Sequence, residues 1–273
     1  MDLLRIVILA VVQGLTEFLP ISSDGHLVVT STLFEAISGN KLEALLTVEI
    51  ILHAGTLAAV LVVFRRQIIR LLMVDRRVIG LLIVGTLPAV IVGLPLKKFG
   101  KELLQDPLAA GIGLIITGIV LLWGTRPSKT DDDATSVRKS YADLSYGQAF
   151  LIGIFQAAAI LPGVSRSGLT IASGLKLAKL NRTDAANFSF LLSIPAVGGA
   201  VFLEVLDLLK THTSDSPPTP VGELMFGAVV AFVVGIFALR WLLAWLQAGK
   251  FYQFAYWCIP LGVVVTAWQL LAA

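Results

Sequence analysis

The chain has 273 residues, of which 56% are hydrophobic and 14% charged, with a mean hydropathy of +0.87. That balance excludes a soluble domain of this length and makes the chain an integral membrane protein. The net charge of +3 points to no nucleic-acid partner, because excess Lys and Arg in a helical membrane protein marks cytoplasmic loops, and the lone Cys258 excludes an intramolecular disulfide.

In chain order, the first apolar run covers 3–19 and follows a single basic residue, Arg5. No small-residue cleavage site precedes Gln13, so the run is expected to belong to the mature protein rather than to a removed signal. It stops at a polar loop, and apolar sequence resumes only briefly over 27–37. This predicts a helix–loop–helix hairpin over 1–37 that enters the membrane and leaves by the same side. Runs at 43–64, 78–96 and 108–124 are then long enough to cross a hydrocarbon core, which needs about 20 apolar residues. The most polar stretch, 125–145 with Asp131-Asp132-Asp133, reads as a solvated cytoplasmic linker. The plan then repeats: a short run at 146–161, a loop and a second brief run at 169–178 predict a hairpin over 146–180, followed by spans at 187–209, 222–246 and 252–271. Trp123, Trp241, Trp245, Trp257 and Trp268 lie near span ends, as an aromatic belt would.

The expected fold is therefore an all-α integral membrane protein of six transmembrane helices plus two re-entrant hairpins. The halves, 1–124 and 146–273, form an inverted-topology repeat, because a hairpin plus an odd number of spans reverses orientation. Most basic residues, among them Arg65, Arg66, Arg70, Arg76, Arg77, Lys176, Lys179 and Arg182, then fall on one side, which the positive-inside rule makes cytoplasmic. Lys97, Lys98 and Lys101 fall on the other side and run against the rule. The first hairpin enters from outside and the second from the cytoplasm, so their tips meet near the midplane.

Those tips align without a gap. Gln13-Gly-Leu-Thr-Glu17-Phe-Leu-Pro20-Ile-Ser22-Ser23-Asp24-Gly25-His26 lies over Gln156-Ala-Ala-Ala-Ile-Leu-Pro162-Gly163-Val-Ser165-Arg166-Ser167-Gly168-Leu169, with Gln, Ser and Gly in register. Each is an apolar half-helix running into a Ser-rich, Gly-containing loop with ionisable groups. Interrupted helices at membrane depth place unpaired backbone groups beside charges, which is where chemistry or transport occurs.

Gln13 and Glu17, four apart, share a helical face. An ionised Glu at a helix centre in lipid costs roughly 2.5–3.5 kcal/mol, so Glu17 should face a polar cavity; the alternative is a pair that only tethers the hairpin. In the second tip, Gly163, Ser165, Ser167 and Gly168 allow a loop whose N–H groups converge beside the Arg166 fork, a geometry suited to phosphate oxygens. The alternative is an Arg166–Glu17 salt bridge joining the halves, and the two are compatible if an anionic ligand displaces the bridge. Together the tips offer a nucleophile (Ser23 or His26), a base (His26 or Glu17) and an anion clamp (Arg166 with Ser22, Ser165 and Ser167). Oxygens of Glu17 and Gln13 suit a hard divalent cation, Mg²⁺ or Ca²⁺. The set fits phosphoryl transfer to water. Glu49 and His53, four apart, are either a structural pair or a support for the site from behind, and Thr170 either caps a helix or touches ligand. No Walker loop or Rossmann fingerprint indicates a nucleotide.

The two tip motifs, with Phe188-Ser189-Phe190-Leu191-Leu192-Ser193-Ile194-Pro195, resemble those of bacterial undecaprenyl-diphosphate phosphatases, the bacitracin-resistance family, and the similarity extends over nearly the whole chain. The resemblance implies a multi-pass enzyme of the bacterial cytoplasmic membrane. It would hydrolyse undecaprenyl diphosphate to undecaprenyl phosphate and inorganic phosphate on the periplasmic side, recycling the carrier lipid of cell-wall synthesis. Glu17, Ser23, His26 and Arg166 match the family's acidic, Ser, His and Arg positions. Gln13 stands where some members carry Glu, and Asp24, where a small or hydroxylated residue is usual, adds a carboxylate. The favoured roles are Ser23 as nucleophile, His26 as its base or as leaving-group acid, Glu17 with Gln13 as metal or proton partners, and Arg166 as clamp. The rival reading is a transporter or flippase of a polyprenyl phosphate, since inverted repeats with broken helices are also a transporter plan. Expected partners are the polyprenyl diphosphate substrate and membrane lipids; a homodimer is compatible with the sequence.

Overall fold

The computed structural model describes residues 3–38, 45–125, 138–210 and 221–272; the middle of the expected linker, including Asp131 to Asp133, lies outside them. Among the described residues the regular elements are helices, beside one isolated β-bridge between Lys139 and Leu180. An apolar environment supplies no hydrogen-bond partners, and a helix satisfies its backbone within itself. In order the α-helices are α1 (Leu3–Thr16), α2 (Ser23–Ser38), α3 (Leu45–Val63), α4 (Arg65–Met73), α5 (Arg76–Phe99) and α6 (Lys101–Leu104). There follow α7 (Pro107–Thr125), α8 (Tyr146–Ala158), α9 (Arg166–Lys176), α10 (Arg182–Lys210), α11 (Val221–Gln247) and α12 (Ala255–Ala272).

Among the described residues five single helical stretches are long and apolar enough to cross a membrane: Arg76–Leu96, Pro107–Thr125, Arg182–Leu203, Gly222–Gln247 and Phe251–Leu271. The sixth expected span, 43–64, falls on α3, which with α4 forms a pair bent by 69° that makes a sixth span when the two are taken together. The break falls at Phe64, whose buried ring packs 5.7 Å from that of Phe190. Arg65, Arg66 and Arg70 follow at once and need water or headgroups, so the chain turns rather than carry them deeper into the core. Pro88, Pro95, Pro195 and Pro260 lie inside helices that continue past them, as is tolerated where neighbouring helices pack closely.

Part of the packing is matched between the two halves. Helix α1 lies against α11 as α8 lies against α5, while α3 meets α10 and α7 meets α12 across the middle. These contacts are close because small residues line them. A Cβ on Gly153 would come within 2.3 Å of the Gly85 carbonyl oxygen, and one on Gly262 within 2.6 Å of that of Gly111. The hairpin tips are also seated alike. Thr117 of α7 donates its hydroxyl to the Gly163 carbonyl at 2.9 Å, and the Cys258 thiol of α12 points to the Pro20 carbonyl at 3.5 Å. The main buried cluster, with Phe18, Phe64, Leu81, Phe190, Leu192 and Leu239, joins both halves under the tips.

Basic residues gather at one end and fasten it. Arg77 donates to the carbonyls of Ala142 and Leu144, Arg70 pairs with Asp75 at 2.8 Å, and Arg182 reaches the Gln247 carbonyl at 3.4 Å.

Candidate active site

Helix α1 ends at Thr16, short of the end of its apolar run at Leu19, and the chain turns through 17–21 before α2 begins at Ser23. In the second half α8 ends at Ala158 and α9 begins at Arg166. Both second helices start in the same way. The Ser22 hydroxyl accepts from the Gly25 N–H at 3.2 Å, and the Ser165 hydroxyl accepts from the Gly168 N–H at 3.1 Å. Each serine therefore caps its helix by bonding an otherwise orphaned donor, which is why serine and glycine recur in register.

The tips touch through their glycines, since a Cβ on Gly25 would lie 2.8 Å from the Gly163 Cα. Gly163 has φ +79°, and a Cβ there would fall 1.9 Å from the Ala110 carbonyl oxygen, so no other residue fits. Ser22 adopts a similar turn with φ +65°, a conformation that costs a non-glycine residue on the order of 1–3 kcal/mol. It is held there by the backbone N–H of His26, 3.2 Å from the Ser22 carbonyl, and by His26 Nδ1, 2.8 Å from the same oxygen.

Glu17 is the hub. Its buried carboxylate accepts from Gln13 Nε2 at 3.1 Å, from the Ser23 hydroxyl at 2.7 Å and from Arg166 Nη2, which arrives from the other half of the molecule. The expected bridge between halves is thus present, and it brings Ser23 and Arg166 onto opposite oxygens of one carboxylate. Arg166 Nη1 is buried and has no hydrogen-bond partner among the described residues. A buried unpaired guanidinium donor is costly, and an anion in the cavity would satisfy it.

His53 enters this cluster more closely than its spacing indicated. The spacing leaves open a structural pair with Glu49 or a support for the site; the ring bonds the Glu49 backbone carbonyl through Nδ1 at 2.7 Å. That leaves Nε2 facing Glu17 Oε2 and Asp24 Oδ1, both at 3.5 Å. The carboxylate contributed by Asp24 is therefore joined to Glu17 through an imidazole. Glu17, Ser22, Ser23, Asp24, Glu49, His53, Ser165 and Arg166 all line one cavity of about 560 Å³.

Other expected residues lie behind that wall. His26 directs Nδ1 to the Ser22 carbonyl, while Nε2 receives the indole N–H of Trp257 at 3.0 Å and the two rings stack at 6.2 Å. The structure therefore does not bring His26 to Ser23. Ser167 contacts the Ser165 hydroxyl at 3.2 Å and donates to the Leu19 carbonyl at 3.3 Å, tying one tip to the other. Thr170 bonds the Arg166 carbonyl at 2.7 Å and the Ser189 hydroxyl at 2.6 Å. Ser167, Gly168, Gly163 and Thr170 shape the loop without lining the cavity.

Among the described residues no group of three or more His, Cys, Asp and Glu side chains forms a ready metal cage. Mg²⁺ needs none, since it is commonly held by one or two carboxylates together with substrate phosphates. Glu17 supplies one carboxylate, and the buried, unpartnered Oε1 of Gln13 is a spare hard donor on the amide beside it. The donor set fits a hard cation shared with a phosphate ligand.

Comparison with known proteins adds the following. The family model for bacitracin resistance protein BacA matches residues 6–264. An undecaprenyl-diphosphatase of Rhodopirellula baltica is 50% identical over 269 residues, covering 98% of this chain and 99% of that protein. One from Desulfatibacillum aliphaticivorans is 40% identical over 97% of this chain and 98% of its own length, and undecaprenyl-diphosphatase 4 of Bacillus cereus is 38% identical over 98% of each.

Proposed function

The chain belongs to the bacitracin resistance protein BacA family, and from that membership and the geometry of the paired tips we infer that it hydrolyses undecaprenyl diphosphate to undecaprenyl phosphate and inorganic phosphate. It is a multi-pass membrane enzyme of carrier-lipid recycling. The observation that carries the mechanism is the meeting of Ser23 and Arg166 on Glu17 at the end of one apolar-walled cavity.

The diphosphate enters with its terminal phosphoryl group against Arg166. The planar fork exchanges Glu17 for phosphate oxygens and satisfies its orphaned Nη1. Ser23 Oγ attacks the terminal phosphorus, and its proton passes to Glu17 Oε2, already 2.7 Å away. The bond from phosphorus to the bridging oxygen breaks, and undecaprenyl phosphate leaves. Glu17 yields that first proton to the departing undecaprenyl phosphate. Water then attacks the phosphoserine, giving a proton to the freed carboxylate, which returns it to Ser23 Oγ as the phosphorus–Oγ bond breaks and inorganic phosphate leaves. Arg166 neutralises the charge on the equatorial oxygens in both steps. His53 keeps Glu17 and Asp24 apart and oriented. His26 acts as a positioning residue, bracing the Ser22 turn that projects Ser23. A divalent cation, Mg²⁺ or Ca²⁺, held by Glu17 with Gln13 and Asp24, would add charge neutralisation on the diphosphate.

The site faces the outer side of the membrane. In support, α5 and α10 line the cavity with residues from 86 and 195 onward, far from the basic ends at Arg76, Arg77 and Arg182 that mark the cytoplasm. The test is phosphate release from undecaprenyl diphosphate by detergent-purified protein, with and without chelator, wild type beside Arg166→Ala. Release that requires both the metal and Arg166 supports the scheme. Wild-type release by Arg166→Ala would remove the clamp, and no release under any metal would bring forward a carrier that moves the lipid phosphate.

A further inference from the structure

Helix α4 turns 69° away from α3 at the basic end of the molecule and packs against α5. Its side chains, with Phe64 just ahead of them, divide into three strips. Phe64, Ile68 and Leu71, spaced i, i+4, i+7, face inward, with Phe64 and Leu71 buried and Ile68 against the main buried cluster. Ile69, Leu72 and Met73, spaced i, i+3, i+4, form a second strip that is 59%, 59% and 75% exposed, and Val74 extends it. Arg66 and Arg70, one turn apart, form a third strip alongside the second.

An apolar strip this open needs acyl chains over it, so the helix lies along the bilayer surface with its arginines at headgroup level. The arginines of this corner are not equivalent. Arg65 donates to the Val62 carbonyl at 3.0 Å, Arg70 pairs with Asp75 at 2.8 Å, and Arg77 donates to the carbonyls of Ala142 and Leu144. Arg66 and Arg76 are exposed and have no hydrogen-bond or ion-pair partner among the described residues. We propose that α4 is a docking surface for anionic glycerophospholipids, with headgroup phosphates on Arg66 and Arg76 and acyl chains on Ile69, Leu72 and Met73. The apolar strip decides for a lipid over free phosphate, since a soluble anion gains nothing from it. The uncompensated arginines decide for an anionic lipid over a zwitterionic one, whose own amine offsets its phosphate. The surface lies outside the cavity lining and is independent of the reaction proposed above.

The test places the whole chain in nanodiscs of phosphatidylcholine and phosphatidylglycerol and reads the ratio of the two lipids retained in native mass spectra. Arg66→Gln and Arg76→Gln should each lower the preference for phosphatidylglycerol about fivefold, and the double variant should lower it further. Arg66→Lys, which keeps the charge, should retain most of the preference. Lys250→Gln serves as control, because it removes an exposed charge beside Arg182 at the same end but outside α4, and it should leave the ratio within about twofold of wild type. Phosphate release in detergent should stay at the wild-type rate in the arginine variants, which shows that they are folded. An unchanged ratio in the double variant would overturn the surface. So would an equal fall with Lys250→Gln, which would make the effect one of diffuse charge. Arginine-dependent binding of inorganic phosphate with no preference between the lipids would replace the lipid surface with a plain anion site.

Discussion

The two hairpin tips share one capping pattern and carry different side chains to the same carboxylate. Ser22 and Ser165 cap their helices identically, through Gly25 and Gly168. One residue on, the first tip carries the hydroxyl of Ser23 and the second the guanidinium of Arg166, and both bind Glu17. The backbones differ where the chemistry differs. The second tip makes its left-handed turn at Gly163, where it is nearly free of cost, and Ser165 is relaxed at φ −78°. The first tip makes its turn at Ser22, a residue that resists it. The left-handed turn of the first tip thus falls on a residue that resists it, whereas that of the second tip falls on a glycine.

The sharpest way to break this comparison is to remove what each tip adds to the shared template. Ser23→Ala should lower kcat by about 10³-fold or more while leaving retention of undecaprenyl phosphate intact, read by phosphate release and native mass spectrometry. Arg166→Lys should lose about 10²-fold, since a point charge cannot replace a fork that spans two oxygens. His26→Ala should cost less, about 10-fold, because it loosens the Ser22 turn without removing a reacting group; a loss as large as that of Ser23→Ala would make His26 a catalytic residue. Smallest is Ser165→Ala, which removes a cap worth about 1 kcal/mol and should lower thermal stability with little change in KM.

Much of this arrangement can be read in the residue order, and the remainder fails for identifiable reasons. The helix–loop–helix tips and the Glu17–Arg166 meeting follow from local spacing and from the cost of burying charge, whereas the capping by Ser22 and Ser165 is visible only in the structure. The bend at Phe64 does not, because apolar sequence runs evenly up to it and the aromatic contact with Phe190 that anchors it is remote in the chain. Trp257 reads as part of an aromatic belt, whereas its indole occupies His26 from 231 residues away. The spacing of Glu49 and His53 leaves open a structural pair or a support for the site, and only the backbone bond to the Glu49 carbonyl turns Nε2 towards Glu17 and Asp24. Side-chain period is legible; the choice between a side chain and a carbonyl on the same helical turn is not.

The central claim, that the two tips form a single reaction centre, is tested most directly by measuring phosphate release from undecaprenyl diphosphate for wild type, Ser23→Ala, Arg166→Ala and the double variant. Residues acting as a unit are strongly non-additive, so the double variant should be scarcely slower than Ser23→Ala alone. Losses that multiply, or either single variant working at the wild-type rate, would mean that attack and clamping do not occur on the same phosphoryl group.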